Sequence, residues 1–249
     1  MGKSVPTVSI FGVPFSKLSA GETADLVTAM AESGRPHQII TANPIMVMAA
    51  LNDPGNMAMM KRADLIVPDG AGVVWAAGYV GNPVAGKVAG IGLMHELLRR
   101  GEKKGWRVYL LGTTPETIRI AADKLKDQYP GITLVGFRDG FFGAGQDQEV
   151  VGQIREAKPH LLFVARGADT QDPWIDRYKA ELGVPVMMGV GGSLDIMAGR
   201  AKRAPKLFIR LRLEWFYRLL REPSRYKRML ALPQFAFKVI REKENVQKL

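Results

Sequence analysis

The chain has 249 residues, 47% of them apolar and 24% charged, globular proportions that exclude wholesale disorder and collagen-like or low-complexity structure. It has no cysteine and only three scattered histidines, His37, His95 and His160, which removes disulfides, thiolate chemistry and Cys-based metal sites and argues against a metal cluster or a Ser-His relay. The net charge of +11 is concentrated: residues 1–199 carry 20 Lys and Arg against 20 Asp and Glu, so the remaining 15 of 35 cations and 4 of 24 anions put all of it in the last 50 residues.

The first residues, Met1-Gly2-Lys3-Ser4-Val5-Pro6, lead into an apolar run without a signal-peptide core, so a cytoplasmic location is expected. Short β-rich runs then alternate with helix-length segments. Strand 7–11 precedes helix 19–33, strand 37–41 precedes helix 44–51, and strand 65–67 precedes helix 72–79. Strand 107–111 leads to helix 115–129, 133–137 to 146–157, 161–165 to 170–182, and 184–189 to 193–198. Runs such as Leu161-Leu162-Phe163-Val164 are apolar throughout, as in strands covered by helices on both faces. The rhythm predicts an α/β fold with a Rossmann-like, mostly parallel sheet. The longest uncharged run, 70–86, is broken by glycines, an asparagine and a proline, so no spanning helix is expected.

Several strand ends carry small or polar residues before a helix: Thr41-Ala42-Asn43-Pro44, Pro68-Asp69-Gly70, Gly112-Thr113-Thr114-Pro115, 167–173 and Gly189-Val190-Gly191-Gly192-Ser193. Ligands of open α/β sheets bind outside the carboxyl ends of the strands, so these turns form the candidate site. Each alone is also an ordinary turn. Gly81 to Val88 has the glycine and lysine spacing of a P-loop, but Val88 stands where magnesium needs a hydroxyl, and the stretch follows a helix-like segment. No Asp-x-Asp pair is present to hold a divalent ion against a diphosphate. The nearest pattern, Asp147 and Glu149, reads as first-turn helix charge. The methionines at 46, 48, 57, 59 and 60 read as core filling.

From Pro205 onward arginines are interleaved with bulky apolar residues: Leu207, Phe208, Ile209, Leu211, Trp215, Phe216 and Leu220. Such a tail suits nucleic acid, anionic lipid or a diphosphate ligand. The apolar residues favour an interfacial helix over nucleic-acid binding, with a tail helix packed on its own domain as the competing reading. If half of the net charge faces anionic lipid, attraction of about 5 kcal/mol results. Arg218, Arg221, Arg225 and Arg228 are spaced to share one helical face, provided that Pro223 does not break the helix.

The motifs Thr41-Ala42-Asn43-Pro44, Ala63 to Gly70, Val108 to Gly112, Tyr129-Pro130-Gly131 and Gly189 to Asp195, with Arg203-Ala204-Pro205, Leu213 to Leu219 and Glu222 to Arg225, resemble those of the WecG/TagA/CpsF glycosyltransferases. These bacterial enzymes add a sugar to an undecaprenyl-diphosphate-linked acceptor at the cytoplasmic face of the membrane. The resemblance implies a catalytic α/β domain over residues 1–203 and a basic amphipathic appendage over 204–249 that closes the site and helps hold the membrane. It implies Asp69 as general base, with Thr41 and Asn43 beside it, and Gln171, Arg218, Arg225 and Arg228 as substrate-binding residues. Gly191, Gly192 and Ser193 join the diphosphate-binding candidates through their helix start. The implied partners are a UDP-sugar, commonly of N-acetylmannosamine or its uronate, a polyprenyl-diphosphate-linked acceptor and the anionic inner leaflet. No metal, cofactor or nucleic acid is expected, and a homo-oligomer stays open. The chain departs from the family pattern in two places. Asp169-Thr170-Gln171-Asp172 stands for Pro-Lys-Gln-Glu, and Gly90-Ile91-Gly92 stands for Gly-x-Asp, which implies an altered sugar or weakened catalysis.

Overall fold

The computed structural model describes residues 5–167, 169–202, 204–211 and 213–247, with the side chains of Lys206 and Arg218 excluded. A hairpin of β1 (Thr7–Ile10) and β2 (Val13–Ser16) precedes α1 (Ala20–Glu32). Next come β3 (His37–Ala42), α2 (Pro44–Asn52), α3 (Pro54–Arg62), β4 (Leu65–Pro68), α4 (Ala71–Tyr79) and α5 (Gly90–Lys104). The second half of the body runs through β5 (Arg107–Gly112), α6 (Pro115–Gln128), β6 (Thr133–Arg138), α7 (Asp147–Ala157), β7 (Leu161–Ala165), α8 (Gln171–Leu182), β8 (Val186–Gly189) and α9 (Ser193–Met197). The tail holds α10 (Lys206–Arg210), α11 (Glu214–Arg221), α12 (Tyr226–Met229) and α13 (Ala231–Arg241).

Strands β3 to β8 form one six-stranded sheet in the order β4-β3-β8-β7-β5-β6, and every pairing in it is parallel. The predicted Rossmann-like architecture is therefore present. Alternation along the strands divides the core. Leu110, Phe163 and Met188 meet Val27, Leu97 and Ala121 on one face, while Leu111, Leu162 and Met187 meet Ile154, Ile175 and Tyr178 on the other. A third cluster lies around the hairpin, where Ile10, Phe15, Ile40 and Val47 are joined by Phe235 and Val239 from α13.

Local chemistry sets the helix starts. Ser19 and Glu22 form a capping box on α1, Thr114 caps α6, and Asn43 and Asp53 cap α2 and α3, each followed by a proline whose missing N–H costs nothing at that position. Met59 and Met60 are buried, and Met46, Met48 and Met57 pack partly buried against the same cluster, in line with core filling. The histidines make fold contacts: His37 Nδ1 lies 3.0 Å from the Pro185 carbonyl, His95 Nδ1 lies 2.7 Å from the Tyr129 hydroxyl, and His160 Nδ1 accepts from the Arg107 N–H.

The alternation read from sequence leaves out three elements: β2, α3 and α5. Phe11 and Gly12 both take positive φ and fold the expected single N-terminal strand back on itself. The expected arginine face is also corrected. Glu222 leaves helical geometry (φ −134°, ψ 79°) ahead of Pro223, so α11 stops at Arg221, Arg225 sits in a single 3-10 turn and Arg228 in α12. Proline disfavours helical geometry in the residue before it. Arg203, Arg212 and the Arg218 side chain fall outside the described residues. No described helix is long and apolar enough to cross a membrane.

Candidate active site

The carboxyl ends of β3 and β4 lie side by side, with Thr41 paired to Val67 and Ala42 to Pro68. The Asp69 N–H continues the pairing by donating to the Ala42 carbonyl at 2.8 Å. Asn43 accepts from the N–H groups of Ile45 and Met46 at 2.9 and 3.3 Å. As a helix cap it is held at the β3 end, beside Gly70, whose added Cβ would stand 3.7 Å from the Asn43 Cβ.

The segment before α5 completes this corner. The Val88 N–H donates to the Pro68 carbonyl at 2.9 Å, which lays residues 87–89 along the end of β4. Asp69 Oδ2 accepts from the Gly90 N–H at 3.2 Å, so a carboxylate sits at the start of a 15-residue helix, where the helix dipole favours negative charge. A side chain at position 90 would come within 3.0 Å of the Thr41 hydroxyl. Glycine is what lets α5 begin against both Thr41 and Asp69. Lys87 Nζ stands 3.8 Å from Asp69 Oδ1 and 2.6 Å from Glu214 Oε1 of α11. Asp69, Lys87 and Glu214 are each only partly exposed.

One strand further along, Gln171 is buried at the start of α8, and its Oε1 accepts from the Gly191 N–H at 3.0 Å. Ser193 is also buried, its hydroxyl donating to the Val190 carbonyl at 2.7 Å. Gly191 and Ser193 thus spend polar groups on shaping the turn after β8, and α9 that follows has five residues. Thr113, at the end of β5, donates its hydroxyl to Asp195 of α9 at 2.7 Å.

The tail spans these strand ends. Glu214 meets Lys87 at the β4 side, and Arg228 Nη2 reaches Asp169 Oδ1 at 3.3 Å beside α8. Arg225 pairs with Glu222 within the tail itself. The structure therefore brings Thr41, Asn43 and Asp69 together, sets Gln171, Gly191, Gly192 and Ser193 on the neighbouring strand end, and brings Arg228 to the loop before Gln171. It adds Lys87, Glu214 and Gly90, to which the sequence reading gave no place in the site. Lys87 lay within the rejected P-loop-like stretch, and nothing local signals its contact with a residue 127 positions away.

Beneath Gln171 lies a buried polar cluster. Gln38 of β3 donates from Nε2 to the Asp172 backbone carbonyl at 3.0 Å, and Gln171 Nε2 lies 3.4 Å from Asp172 Oδ2. Among the described residues, Gln38 Oε1 and Asp172 Oδ1 are buried with no hydrogen-bond partner, at a cost of about 1–3 kcal/mol for each such atom. Burial pushes the Asp172 carboxyl up to about 7, against a smaller lowering from Gln171. Asp147 opens α7 as first-turn charge, as predicted, and its carboxylate also accepts from Trp174 Nε1 at 3.0 Å and the Tyr178 hydroxyl at 2.9 Å.

A family model for the glycosyl transferase WecG/TagA/CpsF family matches residues 8–248. The chain is 36% identical over 216 residues to an N-acetylglucosaminyldiphosphoundecaprenol N-acetyl-beta-D-mannosaminyltransferase of Bacillus spizizenii, covering 87% of this chain and 83% of the relative. It is 38% identical over 208 residues to the protein of the same name in Bacillus subtilis, covering 83% and 80%. With the protein of that name in Staphylococcus aureus strain MW2, the identity is 34% over 243 residues, covering 97% and 95%. With a carboxylate, a hydroxyl and an amide gathered at the carboxyl edge of a parallel sheet and this match along nearly its whole length, the chain belongs to the WecG/TagA/CpsF family of glycosyl transferases.

Proposed function

We propose that this glycosyltransferase moves an N-acetyl-β-D-mannosaminyl or closely related group from a UDP-sugar to an N-acetylglucosaminyl-diphosphate-linked polyprenol, with inversion at the anomeric carbon. The observation that carries the reading is the Asp69 carboxylate at the end of β4, flanked by Thr41, Lys87 and the start of α5. Asp69 takes the proton of the acceptor hydroxyl as that oxygen attacks the anomeric carbon and the bond to the UDP phosphate breaks. Negative charge then grows on the departing diphosphate. Lys87, beside Asp69, and the tail arginines, with Arg228 held beside the start of α8, supply its stabilisation. Thr41, Asn43 and Gln171, at the same carboxyl edge of the sheet, contact the sugar.

We also propose that the tail holds the enzyme peripherally on an anionic membrane surface, where a polyprenyl-linked acceptor resides. Leu207, Leu211, Trp215, Phe216, Leu220 and Leu230 are exposed apolar side chains beside the tail's cations, the pairing that an interfacial helix uses. The relatives' names support the acceptor class.

The test is UDP release and product mass with UDP-N-acetylmannosamine and a short-chain N-acetylglucosaminyl-diphosphate-polyprenol. Release that depends on the acceptor, with one N-acetylhexosamine added to the lipid, is the expected result. Absence of transfer from any UDP-hexosamine or its uronate would overturn the reading.

A further inference from the structure

Asp172 and Gln38 present a problem that ionisation state resolves. Two acceptor oxygens, Gln38 Oε1 and Asp172 Oδ1, are buried without partners among the described residues, while their side chains belong to one cluster with Gln171. Rotating the Gln38 amide would not help, since its Nε2 already donates to the Asp172 carbonyl. Gln171 is fixed as well, because its Oε1 accepts from Gly191. Gly189 leaves no room for a side chain: an added Cβ would stand 2.6 Å from Asp172 Oδ1 and 2.5 Å from Gln171 Nε2. A proton on Asp172 removes a buried charge and supplies a donor to a cluster that otherwise holds two unpartnered acceptors.

We propose that Asp172 is a positioning residue held as a neutral carboxylic acid, its O–H donating to Gln38 Oε1, so that Asp172 fixes Gln171 and, through it, the Gly191 turn at the edge of the active site. The positioning role rests on the glycosyltransferase reading; the protonation state does not. Charged groups near the cluster have partners other than the Asp172 carboxyl: Asp64 also accepts from the Gln38 backbone N–H at 2.8 Å, and His37 of β3 lies against the Pro185 carbonyl. Asp64 pairs with Lys179 at 3.0 Å, Arg62 with Asp176 at 2.6 Å, and Asp147 holds Trp174 and Tyr178. β8 contributes no charged residue. The remaining influences on the carboxyl are burial, which favours the neutral form, and Gln171, which opposes it.

The sign of the effect follows from the direction of the shift. A carboxyl raised from 3.8 to about 7 on folding binds its proton more tightly in the native state. Its contribution to stability is complete below about pH 4 and is lost as pH rises towards about 7. In Asp172→Asn the amide NH₂ takes over the donor role to Gln38 and cannot ionise.

The experiment compares thermal midpoints of the full-length wild type and Asp172→Asn between about pH 5 and about pH 8. The wild type is expected to lose stability over this range relative to the variant; midpoints that track each other would overturn the proposal. Turnover gives the positioning readout. Wild-type kcat should fall on the order of tenfold between about pH 7 and about pH 8.5, with no such fall in Asp172→Asn. A stability difference without this difference in kcat would retain the neutral acid and overturn its positioning role. If Asp172→Asn does not fold, the infrared carboxylic-acid band of the wild type decides. It should be present at about pH 6 and lost above about pH 8, and its absence at about pH 6 would overturn the proposal. The stability and infrared readouts need no substrate, so they stand or fall apart from the proposed reaction.

Discussion

The sheet-bearing body and the tail treat their apolar residues in opposite ways. In the body, all five residues of β7 are buried, and alternate strand residues meet helices on both faces. In the tail, Phe235 and Val239 enter the core around Phe11, whereas Leu207, Leu211, Leu220, Leu230 and Phe237 face outward. The body covers most of its apolar side chains, with Phe137 and Phe141 among the exposed exceptions. The tail is anchored at its far end, where Val246 accepts from the Phe11 N–H and Gln247 donates to the Val80 carbonyl, and its middle presents an apolar, cationic surface. A large exposed apolar area of this kind marks a binding surface more often than a defect of packing.

Helix α13 sharpens the contrast within two residues, because Phe235 is 1% exposed and Phe237 is 65% exposed. Phe235→Ala should cost about 3–5 kcal/mol in chemical denaturation, the range for emptying a buried aromatic site. Phe237→Ala should stay within about 0.5 kcal/mol in the same assay and instead lower binding to anionic vesicles. Equal losses of stability would erase the distinction between anchor and surface. Next in size, removing Lys227 or Arg228 should weaken binding to anionic vesicles by about 1 kcal/mol each, near fivefold, in a co-sedimentation assay, with the effect shrinking at high salt. Binding indifferent to both charge and salt would take the tail off the membrane. Smallest is Glu214→Gln, which breaks the link to Lys87. A partly exposed pair of this type contributes at most about 1 kcal/mol, so the thermal midpoint should move little. A large drop in the midpoint would show that the tail supports the body rather than covering it.

The fold was legible wherever pattern is local. Apolar strands and capped helices such as Ser19 to Glu22 declare themselves within a few residues. The hairpin was missed because Phe11, an unusual residue for positive φ, makes the turn. Helix α5 was missed although Leu93, Met94, Leu97 and Leu98 mark its buried face, because it follows a glycine-rich stretch that reads as loop. In the site, Asp69, Thr41 and Asn43 lie in turns that strand-end geometry marks as candidates, and the family resemblance singles them out among those turns. Lys87 and Glu214 could not be named, since their meeting is a tertiary event. The arginine spacing misled for a physical reason, the interruption at Glu222 and Pro223.

The central claim is that Asp69 removes the acceptor proton, and the turnover of Asp69→Asn tests it most directly. The amide keeps the size of the side chain and an oxygen able to accept from the Gly90 N–H, but it cannot serve as base. With UDP-sugar and lipid-linked acceptor saturating, the predicted result is a loss of about 10²–10⁴ in kcat with an unchanged thermal midpoint. Near-normal turnover in the folded variant would contradict the account and move the base elsewhere along the strand ends.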